Sequence, residues 1–112
     1  MLSETPAAPD VVTTPTVGTE YVVVTDAELE KPYRVIIQND DVTPMEFVVA
    51  ILLLVFELTP DEATAVMLEA HTNGRALVTV LPLKEAQERV YTAQSLARDN
   101  NYPLSFYIEP EE

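Results

Sequence analysis

The chain has 112 residues, enough for one folded domain with its own hydrophobic core. Its 19 Asp and Glu against 6 Lys and Arg give a formal net charge of -13, which argues against nucleic acid or anionic lipid as a partner and favours one that is cationic at least locally. The absence of cysteine excludes disulfides, thiolate metal sites and thiol nucleophiles.

Residues 1–31 are predicted to form a flexible N-terminal extension, because they are rich in Pro, Thr and acids and carry no sustained apolar period. The first residues have neither the basic start nor the apolar core of a signal peptide. The longest apolar run, residues 47–56, is about half of what a bilayer crossing requires. We therefore expect a cytoplasmic protein without a membrane contact. Within the extension, YVVVT at residues 21–25 has strand propensity and is a candidate to pair with a sheet edge.

The folded domain is predicted to span residues 32–112, and it opens with a strand over residues 33–38 (YRVIIQ) that stops at an Asn-Asp-Asp turn. The next segment, TPME, has the spacing of a capping box, with Thr43 as N-cap, Pro44 at the first helical position and Glu46 at the third. Val42 and Phe47 are placed to form a hydrophobic staple across this helix start.

The same signal recurs in TPDE, where Thr59, Pro60 and Glu62 have the same offsets. A second helix is predicted over residues 60–72, ending before Gly74. Residues 75–81 read as a second strand, Pro82 opens a third helix, and residues 104–109 form a third strand. The order β-α-α-β-α-β predicts an α+β domain: a three-stranded, mainly antiparallel sheet with three helices on one face.

The only histidine, His71, ends an apolar stripe that includes Met67 and Ala63, with Ala70 beside it. If the first two helices pack as a hairpin, residues 39–45 and 67–71 meet at the same end of the pair. An amide, two carboxylates and an imidazole would then rim a pocket with an apolar floor of Met45, Val48, Met67 and Ala70. Such a pocket suits a ligand with a cationic head and an apolar body.

The segments NDDVTPMEFVV, EATAVMLEAHTNGRA and YPL resemble the bacterial ClpS adaptor proteins of the N-end rule, and the resemblance covers residues 32–109. Members of that family deliver proteins with an N-terminal Leu, Phe, Tyr or Trp to a AAA+ unfoldase of the Clp protease, of the ClpA or ClpC type. The resemblance implies that Asn39, Asp41 and His71 bind the free α-amino group, with Asp40 adding charge. It also implies the lining of the side-chain pocket: Thr43, Met45, Val48, Met67, Ala70 and Leu104.

Three residues are expected to face the unfoldase: Val42, Lys84 and Arg89. The chain departs from the family pattern in Val42, where an aromatic residue is common, in Leu-Pro-Leu-Lys at residues 81–84, and in Ala70, where Val is usual. The first helix is also apolar almost all round. We expect Leu53 and Leu54 to meet either the N-terminal extension or a second copy of the protein, as a homodimer.

Three other hypotheses compete with this one. An enzyme would use His71 as general base with Asp40 or Asp41 as its orienting group, but the sequence offers no nucleophile beyond threonines, so we expect no enzyme and no cofactor. A metal site from the same three side chains has suitable charge but lacks the spacing of a known ligand set. The element order is also that of the C-terminal domain of the ribosomal stalk protein, a non-catalytic interaction domain.

Overall fold

A computed structural model of the protein describes residues 11–15 and 21–111. The elements are β1 (Val11–Pro15), β2 (Tyr21–Thr25), α1 (Asp26–Leu29), β3 (Pro32–Gln38), α2 (Met45–Leu54), α3 (Pro60–Asn73), β4 (Arg75–Pro82), α4 (Leu83–Asp99) and β5 (Ser105–Pro110). From β3 onward the order is β-α-α-β-α-β, as the sequence predicts.

The main sheet has the order β4-β3-β5, and both of its strand pairs are antiparallel. Side chains alternate across the central strand, so that Val35 and Ile37 enter the main hydrophobic core while Ile36 lies on the other face. Residues of α2, α3 and α4, among them Leu52, Ala63 and Ala93, complete that same core. The prediction of an α+β domain with three helices on one face of an antiparallel sheet is confirmed.

The N-terminal region departs from the prediction in two ways. Tyr21–Thr25 does form a strand, but it pairs with Val11–Pro15 in a separate two-stranded antiparallel sheet rather than with an edge of the main sheet. In addition, packing begins before residue 32: Thr25 caps the short helix α1, and Leu29 is buried. The expectation of flexibility lies, for residues 1–10 and 16–20, outside the described residues.

The prediction for the start of α2 is wrong. The N-cap is Pro44, which offers no side-chain cap, and the helix begins at Met45. Thr43 is not available as a cap because its hydroxyl donates to Oδ2 of Asp40 at 2.9 Å. The staple is also absent: Val42 is 64% exposed, and the ring of Phe47 packs edge-on against Tyr102 with the centroids 4.8 Å apart.

The prediction for α3 is confirmed in detail. Thr59 accepts a hydrogen bond from the Glu62 amide, and the Glu62 carboxylate accepts one from the Thr59 amide, which is the reciprocal pair of a capping box. Gly74 ends the helix in the left-handed conformation, with φ 91°. Because glycine has no Cβ, it adopts that angle without a steric clash, and the chain turns directly into β4.

Leu53 and Leu54 differ in their environments. Leu53 is half-buried and packs against the main core, so only part of its side chain is left for the expected contact with the N-terminal extension or a second copy. Leu54 is 78% exposed, the most exposed large hydrophobic side chain among the described residues. Within the described part of the chain, no helix is both long enough and apolar enough to span a membrane.

Candidate functional site

The candidate site lies where the carboxyl end of β3 meets the C-terminal end of α3. The backbone amide of Asn39 donates to the carbonyl of Gly74 at 2.9 Å, which ties the residue after β3 to the residue that caps α3. His71 belongs to the last turn of α3, immediately before this link. Segments more than 30 residues apart in the chain are thereby fixed side by side.

Asp40 organises the loop between β3 and α2. Its Oδ1 accepts from the amides of Val42 and Thr43 at 2.8 and 2.7 Å, and its Oδ2 accepts from the Thr43 hydroxyl. Burial alone would raise the pKa of the Asp40 carboxyl, but these three hydrogen bonds favour the charged form and together hold the pKa below its ordinary value. Asp40 therefore stays ionised, and its carboxylate fixes the loop that leads into α2.

A pocket of about 190 Å³ opens at this junction. A cavity of about 150 Å³ lined by apolar side chains is large enough to bind benzene, so this one has room for a large apolar or aromatic side chain. All ten predicted site residues line it: Asn39, Asp40, Asp41, Thr43, Met45, Val48, Met67, Ala70, His71 and Leu104.

Burial divides the lining into a floor and a rim. Val48, Ala70 and Leu104 are buried and form an apolar floor, while Met45 is 43% exposed. Asn39, Asp41 and His71 are exposed and carry acceptor groups. The arrangement is a small apolar cavity bordered by hydrogen-bond acceptors and negative charge, which can hold an ammonium group above an apolar side chain.

Two further residues line the pocket that sequence reasoning missed, Ile37 and Gln38. Ile37 is only 1% exposed and lies behind the floor. Strand alternation could have found it, because Ile37 faces the helices while its neighbour Gln38 precedes the polar turn. Gln38 is exposed, and its side-chain carbonyl accepts from the Ser105 hydroxyl at 3.2 Å.

The three residues expected to face the unfoldase lie in different settings. Val42 is exposed on the loop before α2, and Lys84 is exposed in the first turn of α4, where it pairs with Glu88 at 3.3 Å. Arg89 is instead engaged within the domain. Its guanidinium donates to the carbonyl of Val55 at the end of α2, and pairs with Glu85 and Glu57.

The metal alternative finds no support at this site. Among the residues that the structure describes, no group of three or more His, Asp or Glu side chains is arranged to hold a metal ion.

Comparison with known proteins gives a consistent picture. A sequence model of the family described as "ATP-dependent Clp protease adaptor protein ClpS" matches residues 28–107. The Rhodopseudomonas palustris protein named ATP-dependent Clp protease adapter protein ClpS 1 is 45% identical over 85 residues, covering 76% of this chain and 82% of that protein. The Acetivibrio thermocellus ATP-dependent Clp protease adapter protein ClpS is 38% identical over 89 residues, covering 78% of this chain and 90% of that protein.

A solved structure shares the fold. Agrobacterium tumefaciens ClpS2, determined with bound L-phenylalaninamide, superposes with a TM-score of 0.70 and is 39% identical in sequence. The match covers 73% of this chain and 99% of that one. L-Phenylalaninamide consists of a free α-amino group next to an aromatic side chain.

Proposed function

Because the chain belongs to the ClpS family of ATP-dependent Clp protease adaptor proteins, we propose that its pocket binds the N-terminal residue of substrate proteins, with Leu, Phe, Tyr and Trp as ligands. The observation that carries the proposal is the pocket at the junction of β3 and α3, in which acceptor side chains border an apolar cavity. The bound ligand of the Agrobacterium tumefaciens relative supports it.

In this proposal Asn39, Asp41 and His71 accept hydrogen bonds from the α-ammonium group. Asp40 contributes negative charge while its oxygens hold the loop. Thr43, Met45, Val48, Met67, Ala70 and Leu104 surround the side chain of the N-terminal residue. The protein acts by binding and delivery, without a catalytic step of its own.

The receiving partner in this proposal is a AAA+ unfoldase of the ClpA or ClpC type in the cytoplasm. The exposed residues Val42 and Lys84 are available for such a contact. Arg89 contributes by holding α4 against the end of α2 rather than by presenting a free guanidinium. The N-terminal region before α1 hands the substrate over in this proposal, because its composition, rich in Pro, Thr and acids, is typical of a segment that can engage the pore of a partner.

Isothermal titration with peptides that differ only at the N-terminus tests the proposal. A peptide with a free N-terminal Phe should bind, and its acetylated twin should bind at least roughly tenfold more weakly, since a lost charge-assisted hydrogen bond costs about 1.5–3 kcal/mol. Asp41→Ala and His71→Ala should weaken Phe and Leu peptides by equal factors, because both residues act on the shared amine. Equal affinity for the free and acetylated peptides would refute the proposal.

A further inference from the structure

Asn73 is the only asparagine of this chain that a glycine follows, and the pair Asn73-Gly74 closes α3 beside the pocket. The other three asparagines, at positions 39, 100 and 101, precede residues that carry a side chain. Because glycine has no Cβ, its backbone nitrogen approaches the preceding asparagine side chain without steric hindrance. Asn-Gly is therefore the pair in which asparagine deamidates fastest.

The surroundings of this pair leave room for the reaction. Asn73 is exposed, and its side-chain amide has no hydrogen-bond partner among the described residues. A Cβ atom placed on Gly74 would meet no atom within 4 Å apart from those of its chain neighbours. The side-chain amide of Asn100 is instead engaged, since it donates to the carbonyl of Leu96 at 2.8 Å. Asn73 thus combines an unhindered glycine with a free side chain.

The backbone of Gly74 also holds the candidate site together. Its amide donates to the carbonyl of Ala70 at 2.8 Å, and its carbonyl accepts from the Asn39 amide at 2.9 Å. The first of these bonds slows deamidation in the folded protein, because the Gly74 nitrogen is free to attack only when the last turn of α3 opens. Helix ends open more easily than helix interiors, so the reaction does not require global unfolding.

We propose that Asn73 is a site of spontaneous deamidation, and that its isoaspartyl product weakens the pocket. In the first step the Gly74 nitrogen bonds to Cγ of Asn73, the bond from Cγ to Nδ2 breaks, and Nδ2 leaves as ammonia with the proton from Gly74. Water then opens the cyclic imide at either of its carbonyls. Attack at Cγ gives aspartate, whereas attack at the main-chain carbonyl gives isoaspartate, in which the chain continues through Cβ and Cγ. Neither step involves oxidation or reduction.

The two products have opposite effects on the pocket. Aspartate keeps the normal backbone and adds a negative charge in the last turn of α3, which also carries His71, so it favours a cationic ligand. Isoaspartate adds one carbon atom to the backbone before Gly74, so its amide and carbonyl no longer match Ala70 and Asn39. Losing one such hydrogen bond corresponds to about a two- to tenfold loss of affinity for an N-terminal Phe peptide. This loss of affinity rests on the proposed function, whereas the deamidation itself does not.

The test is to age the full chain at mildly alkaline pH and physiological temperature. Ion exchange separates the more acidic forms, and peptide mapping by mass spectrometry locates each deamidation and distinguishes isoaspartate from aspartate. Asn73 should deamidate faster than the other three asparagines. In isothermal titration, the isoaspartyl form should bind the Phe peptide about two- to tenfold more weakly than fresh protein.

Two variants separate the added charge from the change in the backbone. Asn73→Asp carries the charge on a normal backbone and should bind the Phe peptide at least as tightly as fresh wild type. Asn73→Gln keeps the amide on a longer side chain that cyclises far more slowly, so it should retain its affinity on ageing.

Three results would overturn the inference and leave the proposed function intact. They are deamidation of Asn73 no faster than at the other asparagines, equal affinity of the isoaspartyl and fresh forms, and a loss in Asn73→Asp as large as that of the isoaspartyl form. Fresh protein that does not bind the Phe peptide would overturn the proposed function instead, while the peptide map would still report the rate of deamidation at Asn73.

Discussion

At the scale of single residues, Ala70 sets the depth of the pocket. It is 2% exposed on the floor, and it stands where the resemblance to the family leads us to expect Val. Filling the pocket with two more carbon atoms should exclude part of a large ring while leaving room for a branched aliphatic side chain.

Ala70→Val is therefore expected to weaken binding of Phe and Trp peptides relative to Leu by about fivefold, or roughly 1 kcal/mol. The measurement is titration of both proteins with Phe, Trp and Leu peptides, and thermal unfolding checks that the variant is folded. An equal loss for all three peptides would mean that the substitution disturbs the amine site rather than the depth of the pocket.

The stability that the Asp40 carboxylate gives to the loop before α2 depends on pH. Its pKa lies below its ordinary value of 3.8, so the folded protein holds the proton less tightly than the unfolded chain. The carboxylate therefore stabilises the fold fully above that ordinary value, and this stabilisation is lost as the pH falls through the lower pKa of the folded state.

Asp40→Ala should lower the free energy of unfolding by roughly 1 kcal/mol at pH 7, since the lost hydrogen bonds lie on a partly exposed loop. The difference in unfolding free energy between the variant and the wild type should fall towards zero as the pH drops from about 4 to the pKa of Asp40 in the folded protein. Urea unfolding at several pH values measures it. Glu69→Ala, which removes an exposed carboxyl with no hydrogen bond among the described residues, is the control. A difference that does not change with pH would contradict the argument.

At the scale of elements, the same Thr-Pro-x-Glu pattern at the start of two helices leads to two different cap structures. Thr-Pro-x-Glu at residues 59–62 forms a capping box, whereas Thr-Pro-x-Glu at residues 43–46 does not. The physical difference is Asp40, whose carboxylate takes the Thr43 hydroxyl and amide before the helix can use them. The sequence pattern shows that Thr43 is able to cap a helix. A charged acceptor nearby forms a stronger hydrogen bond with the threonine than the helix amide would, so Thr43 bonds to that acceptor instead.

The same limit explains which parts of the site were predictable. The polar rim and apolar floor followed from helical spacing and a helix hairpin, because these are short-range patterns. The position of Leu104 came from the resemblance alone, since nothing local brings the start of β5 to α3. The contact between Asn39 and Gly74 and the pairing of Tyr21–Thr25 with Val11–Pro15 depend on which distant segments meet, and one sequence carries no direct signal for that.

The exposed end of α2 gives a test of self-association. Leu54 is 78% exposed, and Leu53 packs against the core. If Leu54 is part of a homodimer contact, Leu54→Glu should convert the dimer to a monomer in sedimentation equilibrium without lowering the melting temperature.

Leu53→Glu is the contrasting variant, because it places a charge against the core and should destabilise the fold by about 2 kcal/mol or more. A wild-type protein that sediments as a monomer at high concentration would rule out the dimer. Leu54 would then be a solitary exposed apolar residue.

At the scale of the whole molecule, the chain consists of a packed domain from α1 onward and a preceding region that includes the hairpin of β1 and β2. Among the residues that the structure describes, none that lines the pocket comes before Ile37. Peptide binding and delivery to the unfoldase should therefore depend on different parts of the chain.

Deleting residues 2–24, which retains Thr25 and α1, should leave the affinity for a Phe peptide within about twofold, or roughly 0.4 kcal/mol. Degradation of a substrate with an N-terminal Phe by the unfoldase and protease should fall strongly. Titration measures the peptide affinity, and an assay with the reconstituted unfoldase and protease measures degradation. A large loss of peptide affinity would show that the deleted region folds onto the site.

The hydrogen bond between the Asn39 amide and the Gly74 carbonyl also gives the protein an internal reporter of occupancy. The Asn39 amide proton exchanges with solvent only when β3 and the end of α3 separate locally. A ligand held between Asn39 and His71 must leave before that opening, so its binding free energy adds to the cost of exchange. At a hundredfold excess over the dissociation constant, exchange of this one proton should slow by about two orders of magnitude, which makes amide exchange a label-free measure of binding.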